Sequence, residues 1–159
     1  MLYRLERHQS LPIDMDDAWD FFSNPRNLRV ITPPWLGLDI TSELPDQIYP
    51  GLIITYTHRP LPWLTRPWVT EITHSRAPSY FVDEQRLGPF RFWHHRHRFR
   101  SAEGGIEMKD SIHYALPLGP AGRMAHSLVV RSRLEAIFDF RAEALRNRFP
   151  STPQQRSSF

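Results

Sequence analysis

Two periodicities divide this chain. Between positions 36 and 116 polar and apolar residues alternate in short runs rich in β-branched and aromatic side chains, whereas positions 15–22 and about 122–149 repeat at helical spacing. Residues 3–11 alternate loosely and read as a first strand. Asp14 is placed to cap a helix whose Met15, Ala18, Trp19 and Phe22 share a face, with Asp16 and Asp17 at the positive end of its dipole. Asn24-Pro25 breaks that helix. NLRVI before Thr32-Pro33-Pro34 reads as a second short helical turn that the prolines stop.

Six further strands are predicted at 36–42, 52–59, 68–74, 80–86, 90–100 and 106–116, separated by turn signals about every ten residues. Short connections between consecutive strands imply an antiparallel meander, because parallel neighbours need long crossovers. After Pro117-Leu118-Gly119-Pro120 the chain turns helical. Leu134, Ile137, Phe138, Leu145 and Phe149 form one apolar stripe, and Arg131, Glu135, Asp139, Arg141 and Glu143 are assigned off it. The order strand, two short helices, six strands, long helix predicts an α+β fold with a curved antiparallel sheet wrapped around the C-terminal helix. Sheet and helix each have one face to bury, and a cavity fits between them. Residues 1–149 make one domain, followed by a flexible tail at 150–159 without periodicity.

Composition narrows the chemistry. With no cysteine in 159 residues, disulfide scaffolds, thiolate metal sites and cysteine nucleophiles are excluded. The net charge is only +3, with Lys109 the single lysine and arginines spread along the chain among seventeen acids, which argues against a nucleic-acid-binding face. No apolar stretch is long enough for stable membrane insertion, and the charged start MLYRLERHQSLPI lacks the apolar segment of a signal peptide, so a cytoplasmic location is expected. Phosphate loops, nucleophile elbows and zinc-protease helix motifs are absent. No cofactor is expected, and the oligomeric state does not follow from the sequence.

The densest chemistry lies in GPFRFWHHRHRF, residues 88–99. In a strand, Arg91, Trp93, His95, His97 and Phe99 share one face and Phe92, His94, Arg96, Arg98 and Arg100 the other. The second set is solvated and the first faces the helix. A two- or four-residue turn before residue 106 pairs Phe99 with Met108, His97 with Asp110, His95 with Ile112 and Trp93 with Tyr114. His97 and Asp110 thus become a predicted cross-strand pair. Three roles stay open for it: mutual satisfaction of buried polar groups, polar contact for a ligand, or proton transfer beside a carbonyl. His95-x-His97 with Asp110 could also ligate a metal, although no metal is assigned. Asp83 and Gln85 share the face of Phe81, subject to a bulge near Leu87-Gly88-Pro89. Glu71 falls opposite Trp68 and Ile72, and Trp35 and 61–64 are rim or lid candidates.

GPFRFWHHRHRF, followed by MKDSIHYALPLGPAGRMA and a helix containing LEAIFDFR, resembles the polyketide cyclase-like branch of the START-like, SRPBCC superfamily, as do WVTEI and FVDEQ earlier in the chain. That resemblance implies the helix-grip fold of the birch-pollen allergens and a range of roles from lipid carriage to cyclisation. The expected function is binding of a small apolar or amphipathic molecule. Trp93, Phe99, Met108, Ile112, Tyr114, Leu134 and Phe138 would supply apolar contact, and His95, His97 and Asp110 orientation. The alternatives are a cyclase or aromatase using His97 with Asp110, and a protein-interaction module with a filled core.

Overall fold

Alternation at the N-terminus forms β1 (Tyr3–Leu11), and Asp14 caps α1 (Met15–Ser23) by accepting a hydrogen bond from the Asp17 amide at 2.8 Å. The structure is a computed structural model describing residues 1–61 and 63–151. Two 3₁₀ turns follow, Pro25–Arg29 and Pro34–Leu36, each opened by proline, whose fixed φ suits a first helical position. Then come β2 (Asp39–Ile40), β3 (Ile53–Leu61), β4 (Leu64–Arg76), β5 (Tyr80–Leu87), β6 (Phe92–Ala102) and β7 (Gly105–Ala115). All seven strands form one antiparallel sheet in the order β1-β7-β6-β5-β4-β3-β2. The meander is the predicted one, closed at one edge by the return of β1.

Two boundaries differ from expectation. The strand expected at 36–42 shrinks to two residues because the second 3₁₀ turn occupies its start. β3 and β4 run further toward one another than alternation implied, with β4 already paired at Leu64. Register shifts interrupt β3–β4 between His58 and Leu61, and β4–β5 at Val69/Thr70 and Ile72/His74. Such bulges bend and twist a sheet, the curvature a helix-covering sheet requires. Of the tail expected at 150–159, residues 152–159 lie outside the described residues, as does Pro62 of the expected lid segment.

The C-terminal helix is continuous but not uniform. It runs as α2 (Gly119–Ala125), a π-helical turn at His126–Val130, and α3 (Arg131–Arg148). No helix among the described residues is long and apolar enough to cross a membrane. α3 buries Leu134, Phe138, Arg141 and Leu145. These positions follow the i, i+4, i+7, i+11 course of a single helix face, so Arg141 belongs to the buried stripe and not to the solvent side assigned to it above. Arg91, expected on the inward face, instead lies outside β6 and is exposed.

The core falls into two apolar clusters. Under α1, Trp19, Phe22, Phe99, Ile106, Met108 and Leu145 pack together with others, Trp19 meeting the edges of Phe81 and Phe99. Nearer the π turn, Trp93, Ile112, Tyr114, Leu134 and Phe138 form the second. Between the clusters β6 contributes His95 and His97, β7 contributes Asp110 and α3 contributes Arg141, all buried. A polar band therefore divides the core.

The β6–β7 hairpin that carries this band closes through the two residues Glu103-Gly104, since Ala102 pairs with Gly105. Gly105 has φ +149°, and a side chain there would overlap the carbonyl oxygen of Leu11 on β1. Gly105→Ala should lower unfolding stability in urea by about 2 kcal/mol. Gly51→Ala, at φ +90° with nothing near its would-be side chain, should cost less because it carries only the backbone strain.

Candidate functional site

Alternation along β5, β6 and β7 places four side chains of the band on one face of three adjacent strands. Asp83 pairs across the sheet with His95, Phe81 with His97, and His97 with Asp110. The register predicted for β6 and β7 is the observed one in all four pairs. The bonding is richer than a single pair. His97 Nε2 donates to Asp83 Oδ2 at 2.9 Å, and His95 Nε2 donates to Asp110 Oδ1 at 3.0 Å. His97 Nδ1 lies only 2.8 Å from Asp110 Oδ1 but out of line for a hydrogen bond, so this contact is chiefly one of charge. His95 Nδ1 is 3.4 Å from Asp83 Oδ2, Trp93 Nε1 donates to Asp83 Oδ1 at 3.3 Å, and Arg141 reaches Asp110 Oδ2 at 3.5 Å.

These contacts decide the ionisation. Burial alone would raise the pKa of Asp110, which has 0% exposure, but Arg141 and the imidazoles outweigh it and hold the carboxyl well below the usual range. Asp83 is likewise pushed upward by burial and, more strongly, downward by His95 and His97. Burial lowers His95, and the neighbouring His97 lowers it further. Burial opposes the charge on His97 as well, yet Asp110 and Asp83, one at each ring nitrogen, raise it. The environment thus separates two adjacent imidazoles in opposite directions. With His97 protonated and His95 neutral, two carboxylates balance one guanidinium and one imidazolium, and the buried cluster carries no net charge.

The band opens onto a cavity of about 470 Å³ between sheet and helix. Apolar side chains dominate its wall, among them Ile54, Trp68, Ile72, Leu134 and Ile137, while Asp83, His95, His97 and Arg141 face it from the band. Five of the ten residues expected to touch a ligand lie on this wall: Trp93, His95, His97, Leu134 and Phe138. The other five sit behind it. Phe99 and Met108 pack under α1, Ile112 and Tyr114 fill the second cluster, and Asp110 is sealed behind the imidazoles. Tyr114 is engaged elsewhere, its hydroxyl 2.9 Å from His126 Nε2.

Asp83 was legible from its alternation with Phe81, but the bulge feared near it falls on the β4 side and leaves its β6 register intact. Gln85 instead ties the turn to Phe90, donating to its carbonyl and accepting from its amide. Glu71 is exterior, bound to Arg86 at 2.6 Å. Trp35 and Leu61 line the cavity while exposing 47% and 43% of their surface, as rim residues do, whereas Trp63 is 80% exposed and stands off the wall. His58 and Tyr56 escaped the sequence reading. Each lies on the buried face of β3, and the His58 Nδ1 has no partner among the described residues. Their alternation along β3 was available as a signal. An interior holding such a cavity is not the filled core of an interaction module.

The profile of the family described as polyketide cyclase / dehydrase and lipid transport matches residues 11–138. No curated protein matches the chain. Similar solved structures include a protein from Chromobacterium violaceum, 7% identical over 92% of this chain and 97% of that one, with a TM-score of 0.70. Ara h 8.0201 is 14% identical over 92% and 99% of the two chains, at 0.58. A norcoclaurine synthase point mutant from Thalictrum flavum, solved with a transition-state analogue, is 14% identical over 93% and 96%, at 0.64. Identities this low carry the fold alone, the helix-grip arrangement of a seven-stranded antiparallel sheet and a long C-terminal helix.

Arg141 is the cation whose loss would leave Asp110 uncompensated. Arg141→Met should destabilise the protein by about 3 kcal/mol, measured by chemical unfolding. Combining it with Asp110→Asn should restore most of that loss, because the charge needing compensation is gone.

Proposed function

The chain belongs to the polyketide cyclase / dehydrase and lipid transport family, and from that footing we propose that it binds a small, largely apolar molecule carrying one polar group. One observation carries this reading: a cavity of about 470 Å³ whose apolar wall is interrupted by the Asp83, His95 and His97 face. Pockets of about 300–1,000 Å³, mostly apolar with a few convergent polar groups, are the usual form of small-molecule sites. The apolar body would lie against Ile54, Ile72, Leu134 and Ile137, and the polar group would meet the band.

Proton transfer to a bound carbonyl compound is a second reading, favoured by the opposite displacement of the two imidazoles. The carboxylates beside its two ring nitrogens favour the protonated form of His97, in which it can donate a proton. In that form its role in such chemistry would be that of an acid, where the sequence reading considered a base.

Naphthalene and naphthol separate the contributions of body and polar group. Isothermal titration calorimetry should show both binding, with the hydroxyl tightening affinity by about tenfold, since a hydrogen bond to a charged group contributes about 1.5 kcal/mol or more. Ile54→Trp should fill the space and weaken both, with its unfolding transition intact. Absence of saturable binding by either compound, or unchanged binding in Ile54→Trp, would remove the assignment.

A further inference from the structure

The two imidazoles of the band divide their nitrogens in a particular way. His95 Nε2 and His97 Nδ1 both turn to the same oxygen of Asp110, at 3.0 and 2.8 Å. Their other nitrogens, His95 Nδ1 and His97 Nε2, converge on Asp83 Oδ2, at 3.4 and 2.9 Å. Asp83, His95 and His97 can each present one ligand atom such that all three lie within 4.8 Å of one another. All three face the cavity, with Asp110 behind the imidazoles and its partner Arg141 also on the cavity wall.

From this geometry we infer that Asp83, His95 and His97 form a site for a divalent first-row transition metal, of which zinc is the simplest test. Imidazole nitrogens and a carboxylate suit such ions. Ligand atoms bound at about 2.0–2.1 Å in a tetrahedral site lie about 3.3 Å apart. The distances of 2.9 and 3.4 Å from Asp83 Oδ2 to the two nitrogens bracket that spacing. Asp110 stands where metal-binding histidines find their outer carboxylate: it accepts from His95 Nε2, which leaves the lone pair of that ring on Nδ1, and it lies 2.8 Å from His97 Nδ1.

Charge is compatible with the same arrangement: with both imidazoles neutral, Asp83 and Asp110 contribute two negative charges and Arg141 one positive, so a cation enters a site of net negative charge. Three protein ligands leave a coordination position toward the cavity. An oxygen atom of the cavity's occupant would complete it, and this last step alone rests on the binding function proposed above. The sequence left Asp110 open as a possible third ligand and assigned no metal; in the inferred site Asp83 takes that position and Asp110 stands behind the imidazoles.

The experiment uses the full chain without an affinity tag, stripped with a chelator and titrated with zinc alone by calorimetry. One equivalent should bind, at least 100-fold more weakly in His97→Gln and Asp83→Asn, and with unchanged affinity in His94→Gln, which alters the outer face of the same strand. Cobalt(II) supplies a readout that needs no variant. Its paramagnetism should shift the indole N–H signal of Trp93, which donates to Asp83, and leave that of the exposed Trp63 in place. Ile54→Trp should still bind zinc, so failure of ligand binding and failure of metal binding are read separately. No saturable equivalent, equal affinity in His97→Gln and Asp83→Asn when both are folded, or a cobalt effect that spares Trp93 would each overturn the site.

Discussion

Asp110 has no contact with water and sits in the middle of an apolar core. Removing a carboxylate from water costs several kcal/mol even after the protein relaxes, so the surrounding structure must supply fixed positive charge and hydrogen bonds. Two histidines from the neighbouring strand and an arginine from the long helix do so. This requirement couples the layers of the fold. The β6–β7 register must bring His97 opposite Asp110, and α3 must turn Arg141 inward between Phe138 and Leu145. A slip of one residue in the hairpin would send the carboxylate to solvent and Arg141 would lose its partner.

The same constraint accounts for the cavity's character. Apolar clusters pack on either side of the polar band, and Asp83, His95, His97 and Arg141 interrupt an otherwise largely apolar cavity wall. A family described by both cyclisation and lipid transport needs such a chamber in either role. What differs between the roles is the chemistry of the wall, and here that wall holds two imidazoles and a carboxylate with one nitrogen or oxygen of each within 4.8 Å of the others.

Much of this was legible in the residues. Alternation in WHHRHRF separates His95 and His97 from His94, Arg96 and Arg98, and the short turn at Glu103-Gly104 fixes the partners in β7. Local rules suffice there because a hairpin's register depends on its turn and pleat. Contacts made between distant segments were harder to read. Arg141 shares a helical face with Leu134, Phe138 and Leu145, but its charge argued for solvent until the carboxylate beneath it was located. Asp83 was legible in its face, shared with Phe81, but not in its closeness to the two histidines, and the signal at His58 lay in the alternation of a strand whose register shifts just beyond it. Half of the expected ligand contacts lie behind the wall for a related reason: alternation tells which face is buried, but not which part of that face is covered by α1 or α3.

The account rests on the polar band orienting whatever occupies the cavity. A crystal structure of the protein soaked with naphthol would test it most directly. The ring should lie against Ile54, Ile72, Leu134 and Ile137 with its hydroxyl in hydrogen-bonding distance of Asp83, His95 or His97, directly or through an ion held by them. A naphthol bound in the cavity with its hydroxyl pointing away from the band, or bound only outside the cavity, would contradict it.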